Sequence, residues 1–177
     1  ARLMLAWRGL IVTHALGGSA AACSTELAAH ESTGACPLLP SEYPQGSTRR
    51  LRIASVSLAS DTTLIHLLGA EQLVAVSWVV DWAEYSPHVG AVPHNLPRLT
   101  GNAESVAALH PDLAVVAEYS TPGIGAALRA VGVPTFALTA SQSLDEILDE
   151  VQRLGACIGV APRARDWISD LRARVSA

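Results

Sequence analysis

Apolar and polar positions along residues 51–177 fall into blocks with two alternating periodicities. Short runs rich in apolar and β-branched residues occupy 52–57, 73–77, 113–117 and 133–138, and segments of helical periodicity separate them. The third run is apolar at every position, which is typical of a strand buried on both faces. Strands that alternate with helices predict an α/β fold, namely a Rossmann-like parallel sheet with helices on both faces.

The helical segments carry recognisable start and stop signals. Ser60 or Asp61 is expected to cap the first helix, and Gly69 is expected to end it. Pro111 and Gly132 close the next two helices. These later helices are predicted over 104–110, 124–131 and 143–158, and a further helix begins near residue 162.

Ligands of parallel sheets bind at the carboxyl ends of the strands, so the segments at that edge contain the candidate site. The segments expected there are 57–61, 77–102, 118–123 and 139–143. Ser57 ends the first run and Leu58 follows it, and both are candidate ligand-binding residues. Asn102 precedes a helix whose amino end could hold an anionic group, although ordinary turn chemistry accounts for this residue equally well.

Aromatic residues are concentrated after the second strand. The chain has four tryptophans and one phenylalanine, yet Trp78, Trp82 and Tyr85 share one loop. Aromatic faces bury much contact area at low entropic cost, which makes these three residues candidates for ligand contact. Packing of the loop against the sheet is the alternative, and it is favoured for Trp78, which lies next to the strand. Tyr119, after the third strand, is a further candidate.

The first fifty residues differ in composition from the rest. Residues 1–23 combine two arginines, a short apolar stretch and a run of small residues, which together resemble a secretory signal. The run ends at Cys23, and Ala20–Cys23 is similar to a bacterial lipobox, so lipidation of Cys23 is one expectation. Residues 24–50 are rich in Ser, Thr, Gly and Pro and are expected to form a flexible linker.

Composition excludes several classes of protein. The chain has 177 residues, 50% of them hydrophobic, which is enough for one domain with a substantial core. Its formal net charge of -4 and the absence of long basic clusters argue against a nucleic-acid partner. The three cysteines include no CxxC pair, so a zinc site is not expected, and Cys157 is interpreted as a small core residue.

Besides a protein that only binds a ligand, two other functional classes are considered: a direct metal-ion receptor and a nucleotide-using enzyme. A direct metal-ion receptor would use histidines, but His66 lies inside the first helix, and His88 and His94 share a loop without helical spacing. A Rossmann-like enzyme using a nucleotide would need a glycine-rich turn, and 58–61 contains no glycine. No catalytic motif was found, so neither an enzyme nor a resident cofactor is predicted.

Five segments in fixed order resemble the periplasmic binding proteins for cobalamin, ferric siderophores and haem, which are the substrate-binding components of ABC importers. The resemblance covers Leu51 to about Ala177. One departure is Leu58, which stands where the family commonly has a proline after the first strand. The segments that carry the resemblance are 52–61, 67–77, 102–113, 130–135 and 143–147.

The resemblance implies a two-lobed protein of which this chain supplies the first lobe. Residues 51–160 would form the N-terminal lobe and 161–177 the start of the interlobe helix, with the second lobe missing in a truncated form. The implied partners are a metal chelate and an ABC permease, and the implied location is the periplasm, either free or anchored through Cys23. Without the second lobe, we expect weak ligand binding and an exposed stripe formed by Trp167, Ile168 and Leu171.

Overall fold

A computed structural model of the chain describes residues 36–38 and 50–176. The described residues form one parallel sheet in the order β3-β2-β1-β4-β5, which confirms the predicted fold class. The strands are β1 (Ile53–Ser55), β2 (Leu73–Ser77), β3 (Arg98–Leu99), β4 (Leu113–Ala117) and β5 (Thr135–Leu138). The helices are α1 (Leu58–Leu68), α2 (Ala103–Ala107), α3 (Ile124–Ala130), α4 (Leu144–Cys157) and α5 (Ala161–Val175).

Helices cover both faces of the sheet, and alternate strand residues divide the core between them. Ile53 and Val115 pack in the cluster that contains the buried residues of α1, α4 and α5. Ala54 and Val116 point to the opposite face and pack with residues of α2 and α3. This two-residue alternation explains why β4 is apolar at every position, because each of its side chains faces one of the two helical layers.

The first helix begins earlier than its sequence predicts. The Ser57 side chain accepts a hydrogen bond from the backbone N–H of Ser60, so Ser57 is the N-cap of α1. The prediction that Ser60 or Asp61 caps this helix is therefore wrong. Both residues lie in the first turn instead, and both are fully buried.

The short strand β3 was not predicted. Its two residues pair with the end of β2 through Val76–Arg98 and Ser77–Leu99. A strand of two residues is too short to show a periodicity in the sequence. The Arg98 guanidinium donates hydrogen bonds to the carbonyl oxygens of Pro93 and Leu96, and these bonds fix the loop that leads into the strand.

Helix α5 packs against the lobe through its first half. An added Cβ at Gly155 of α4 would lie 2.5 Å from the Cβ of Ala164, so the close approach of the two helices depends on this glycine. The Trp167 ring stacks on His66 of α1 with ring centroids 4.5 Å apart. Trp167 and Ile168 are half-buried against the core, and Leu171 is also partly buried, so the predicted exposed stripe is wrong.

A disulfide joins Cys36 to Cys157, at the end of α4, across 121 residues of sequence. The interpretation of Cys157 as a small core residue is therefore incorrect. Leu38, two residues from Cys36, is buried in the core. The predicted flexible linker 24–50 is thus fastened to the lobe at residues 36–38, and the flexibility of its remainder stays a prediction.

The signal-like segment 1–23 and the lipidation candidate Cys23 lie outside the described residues. Within the described residues, no helix combines the length and hydrophobicity needed to cross a membrane.

Candidate functional site

A cavity of about 330 Å³ opens where the carboxyl ends of β1, β2 and β4 meet the residues that follow β3. We call it the aromatic cavity. It brings Ser57, Leu58 and Trp78 together, three of the residues proposed from sequence. The residues that define the aromatic cavity are Val56, Ser57, Leu58, Ser77, Trp78, Val79, Thr100, Gly101, Ser120 and Thr121.

A serine network fixes the wall that α1 contributes. The Ser55 hydroxyl donates to Ser60 Oγ at 2.8 Å, and Ser60 Oγ accepts from the Ser57 backbone N–H at 3.0 Å. All three serines are buried. Because their hydroxyls are satisfied within the turn, the backbone at Ser57 and Leu58 is held in one conformation beside the cavity.

Asp61 connects this helix to the end of β2. Its Oδ1 accepts the backbone N–H of Ser77 at 3.0 Å, and its Oδ2 accepts the Ser77 hydroxyl. Burial raises the pKa of Asp61 to about 6, against the opposing effect of its serine hydrogen bonds and of Arg98. Asp61 is therefore a buried positioning residue. Its hydrogen bonds hold Ser77, and the aromatic loop begins at the next residue, Trp78.

Trp78, Trp82 and Tyr85 form a continuous aromatic cluster that begins at the cavity wall with Trp78. Trp82 meets Trp78 edge-on with ring centroids 4.6 Å apart, and Tyr85 lies 6.0 Å from Trp82. Their exposed fractions are 41%, 43% and 64%. Packing against the sheet, which the sequence favoured for Trp78, does not bury its ring, which lines the cavity instead.

An ion pair holds the aromatic loop in place. The Arg98 guanidinium donates through Nε to Asp81 Oδ2 at 2.8 Å and through Nη2 to Oδ1 at 3.0 Å. This hydrogen bonding lowers the pKa of Asp81 and raises that of Arg98. Since Asp81 directly precedes Trp82, the two-point contact restricts the backbone that carries the cluster.

Asn102 closes the start of α2 rather than leaving it open to a ligand. Its Oδ1 accepts the backbone N–H groups of Glu104 and Ser105 at 2.8 and 3.1 Å. The amino end that sequence analysis considered for an anionic group is therefore occupied by the chain itself. Gly101, with φ of 84°, makes the turn from β3 into this helix and lets the backbone approach the Thr121 side chain.

Tyr119 lies in a second cavity of about 430 Å³ at the same edge of the sheet. We call it the carboxylate cavity, because Glu150 of α4 is the one charged residue in its lining. The residues that define it are Ala59, Thr63, Tyr119, Leu138, Thr139, Ala140, Ser141, Ile147, Glu150 and Val151.

Glu150 is the main feature that sequence analysis missed. Ile147, Val151 and Leu154 mark an apolar stripe of α4 at helical spacing, and Glu150 occupies a position on that stripe. A carboxylate among these apolar positions is the sequence feature that could have identified Glu150 as a candidate site residue. Glu150 is only 7% exposed, and its Oε1 accepts both the backbone N–H and the hydroxyl of Thr139, at 2.7 and 2.9 Å.

The model of the periplasmic binding protein family matches residues 53–177. The chain belongs to this family. The family is one of substrate-binding proteins, not of enzymes. No curated protein sequence matches the chain.

Solved structures with this fold include several other periplasmic binding proteins. A periplasmic haem-binding protein from Pseudomonas aeruginosa has 25% identity and a TM-score of 0.56, over 71% of this chain and 44% of its own. A possible iron-binding protein from Staphylococcus epidermidis has 22% identity and a TM-score of 0.61, over 72% and 50%. The periplasmic vitamin B12 binding protein of Vibrio cholerae has 24% identity and a TM-score of 0.56, over 71% and 48%.

The chain spans half the length of these periplasmic binding proteins or less. The similarities below 25% identity show the shared fold.

Within residues 36–38 and 50–176, no group of three or more His, Cys, Asp or Glu side chains is placed to hold a metal ion. The histidines of this part of the periplasmic binding protein therefore form no metal centre. His66 and His88 approach each other with ring centroids 6.1 Å apart, and Trp167 stacks on His66. Burial, with the nearby His66, lowers the pKa of His88. The three rings pack α1, the loop after the aromatic cluster and α5 together.

Proposed function

We propose that this chain is the substrate-binding component of an ABC importer and captures a metal chelate such as cobalamin, a ferric siderophore or haem. The observation that carries the proposal is the exposed aromatic cluster that extends from Trp78 in the wall of the aromatic cavity. Such chelates are large and partly flat, and aromatic side chains bury flat surfaces at low entropic cost. Family membership and the haem, iron and vitamin B12 binding proteins of similar fold support this ligand class.

Each residue of the proposed site has a distinct part. Trp78 forms the cavity wall against which the ligand packs, and Trp82 and Tyr85 extend that surface outward. Ser57 and Leu58 supply the wall at the start of α1. Two further residues border the site: Asn102 fixes the adjoining helix, and Tyr119 lies in the neighbouring cavity.

In the proposed mechanism, the described lobe supplies one side of a cleft, and the loaded protein then docks on a membrane permease. A ligand held on one side only loses much of its buried contact area, while the entropy lost on immobilisation remains. We therefore expect the chain by itself to bind a chelate weakly. Helix α5 would be the start of the helix that connects two lobes.

Export to an oxidising compartment fits the Cys36–Cys157 disulfide, because such bonds persist in the periplasm and are rare in the cytosol. We propose that residues 1–23 act as the export signal and that residues 24–50 link it to the lobe. Lipidation of Cys23 would add a membrane anchor to this arrangement. Envelope fractionation of the chain and of Cys23→Ser tests both statements: a cytosolic, unprocessed chain would contradict export, and unchanged membrane association of Cys23→Ser would contradict lipidation.

A titration with cobalamin, haemin and a ferric hydroxamate siderophore tests the ligand class, followed by calorimetry and by tryptophan fluorescence. We expect one of the three to bind saturably with a dissociation constant above the micromolar range. Trp82→Ala should then weaken binding by about 1–3 kcal/mol, the range for an aromatic anchor. Trp167→Phe is the matched control, since this ring stacks on His66 in the last turn of α1 and not at the cavity.

Two outcomes would contradict the proposal. The first is an absence of saturable binding for all three chelates. The second is equal affinity of wild type and Trp82→Ala with the fold intact, since the aromatic cluster would then take no part in binding. Sub-micromolar binding by the monomeric chain would contradict the statement that one lobe binds weakly.

A further inference from the structure

The carboxylate cavity contains hydrogen-bonding groups that the fold does not use. Glu150 Oε1 is engaged by Thr139, whereas Glu150 Oε2 accepts no hydrogen bond from the residues that the structure describes. The Ser141 hydroxyl is buried and has no partner in the same described part of the chain. A buried hydroxyl without a partner costs free energy, so a group that enters this cavity and hydrogen-bonds Ser141 is bound favourably.

The electrostatics of the cavity favour a cation. Glu150 is the one charged residue in the lining, and the half-exposed Arg153 forms an ion pair with its Oε1 at 3.8 Å, which is longer than a hydrogen bond. Burial raises the pKa of Tyr119, and the negative charge of Glu150 raises it further. Tyr119 and Ser141 thus remain neutral hydroxyls that can accept a hydrogen bond beside a carboxylate.

The size and the remaining lining define the rest of the ligand. A volume of about 430 Å³ is within the usual range for small-molecule sites and is much larger than an ammonium group needs. Apolar side chains from three elements form the other walls, and they suit an aliphatic stem. These residues are Ala59 of α1, Leu138 of β5, and Ile147 and Val151 of α4.

We propose that the carboxylate cavity is a second binding site, which takes a primary ammonium group on a short aliphatic stem. The three N–H donors of the ammonium match three acceptors: Glu150 Oε2, Ser141 Oγ and the Tyr119 hydroxyl. The charge-assisted bond to Glu150 contributes most of the selectivity over neutral alcohols. This site is separate from the aromatic cavity, and its ligand is either a free amine or an amine arm of a larger ligand.

The direct test is an NMR titration of the chain with n-butylammonium, with butan-1-ol and butyrate as probes of matched length. We expect saturable shifts from n-butylammonium at the amides of residues 119, 139–141 and 147–151. The alcohol should bind at least tenfold more weakly, and butyrate should not bind. Equal binding of all three probes, or n-butylammonium shifts confined to other residues, would overturn the proposal.

Variants separate the carboxylate from general charge effects. Glu150→Gln keeps an acceptor for Thr139 but replaces the free oxygen with a donor, and it should weaken n-butylammonium binding at least tenfold. Asp149→Asn makes the same charge change at an exposed neighbour on α4 and should leave binding within twofold. Equal effects of the two variants would contradict the assignment of Glu150.

A third variant keeps the test decisive if Glu150→Gln does not fold. Ile147 is 46% exposed, so Ile147→Trp can enter the cavity without disturbing the core. It should abolish n-butylammonium binding, and undiminished binding would overturn the proposed location.

Competition identifies the source of the ammonium group. A ferric hydroxamate with a free primary amine is added to the n-butylammonium complex, and its N-acetylated form is added in parallel. Displacement by the free amine alone supports the site and assigns the ammonium to an arm of the chelate. Displacement by neither supports the site with a separate small amine as ligand, while equal displacement by both contradicts recognition of the ammonium.

Discussion

The two cavities at the carboxyl edge of the sheet differ in how their walls are made. The aromatic cavity is formed by residues that directly follow strands, such as Ser57 and Trp78. The carboxylate cavity depends on Glu150, which lies on a helix eleven residues after its partner Thr139. The sheet topology alone brings the first set together, whereas the second requires helix α4 to pack in one position.

The largest expected effect concerns the disulfide that fastens the end of α4. Cys157→Ser opens a connection across 121 residues and should lower the free energy of unfolding by about 3–5 kcal/mol, since the unfolded chain regains its loop entropy. Chemical denaturation of the oxidised chain measures the loss. Cys23→Ser serves as a control for the loss of a thiol. Equal stability of Cys157→Ser and wild type would show that α4 does not depend on this bond.

The second effect is a pH dependence that originates at the aromatic cavity. Because the folded-state pKa of Asp61 is raised from 3.8 to about 6, the folded chain binds more protons than the unfolded chain between these values. Its contribution to stability is therefore present below about pH 4 and is lost as the pH rises through 6, by about 2–3 kcal/mol in total.

Asp61→Asn isolates this contribution, because asparagine does not titrate in the window. The difference in unfolding free energy between wild type and Asp61→Asn should change by that amount between pH 4 and pH 7. Asp81, whose pKa is lowered by Arg98, titrates in both proteins and cancels in the difference. A difference that stays constant over this range would contradict the burial of an ionisable Asp61.

The third effect concerns chelate binding at the aromatic cavity. Trp78→Ala should weaken binding by about 1–3 kcal/mol, because this ring both lines the cavity and supports Trp82. Val131→Ala removes a similarly exposed apolar side chain at the end of α3 and should leave the affinity unchanged. Calorimetric titration measures the chelate affinity of the two variants. An equal loss of affinity in both would show that Trp78 has no specific role in binding.

The smallest effect tests the wall of the carboxylate cavity. Thr139→Val removes the hydroxyl that donates to Glu150 and should cost about 1 kcal/mol of stability. Thr63→Val is the matched control, since the Thr63 hydroxyl lines the same cavity but donates to the Ala59 carbonyl within its own helix. Thermal denaturation compares the two, and a larger loss in Thr63→Val would argue against a structural role for Glu150.

Sequence predicted the parts of the fold whose pattern is local. The strands β2 and β4 begin and end as predicted, because long apolar runs with clear turn signals define them. The cap of α1 was placed three or four residues late, because Ser57, Ser60 and Asp61 are all suitable and the choice depends on buried hydrogen bonds. The disulfide was missed because nothing in the sequence indicates that residues 36 and 157 meet.

The same division holds for the candidate site. Ser57, Leu58 and Trp78 were predicted at the carboxyl edge of a parallel sheet, and the structure brings them together at one cavity there. Tyr119 was assigned to the same group but lines the neighbouring cavity, whereas Ser120 and Thr121, the next two residues, line the aromatic cavity. Contacts that hold the loop, such as Arg98 with Asp81, depend on tertiary packing and have no sequence pattern.

Hydrogen–deuterium exchange with and without chelate is the most direct test of the central claim, that the aromatic cavity holds the chelate. Haemin, cobalamin and an N-acetylated ferric hydroxamate, none of which carries a free primary amine for the carboxylate cavity, are each used above their measured dissociation constants. The account predicts slower exchange in peptides covering 57–58, 77–85 and 100–102, with no change across 139–151. Protection confined to 139–151, or no protection with a bound chelate, would contradict it.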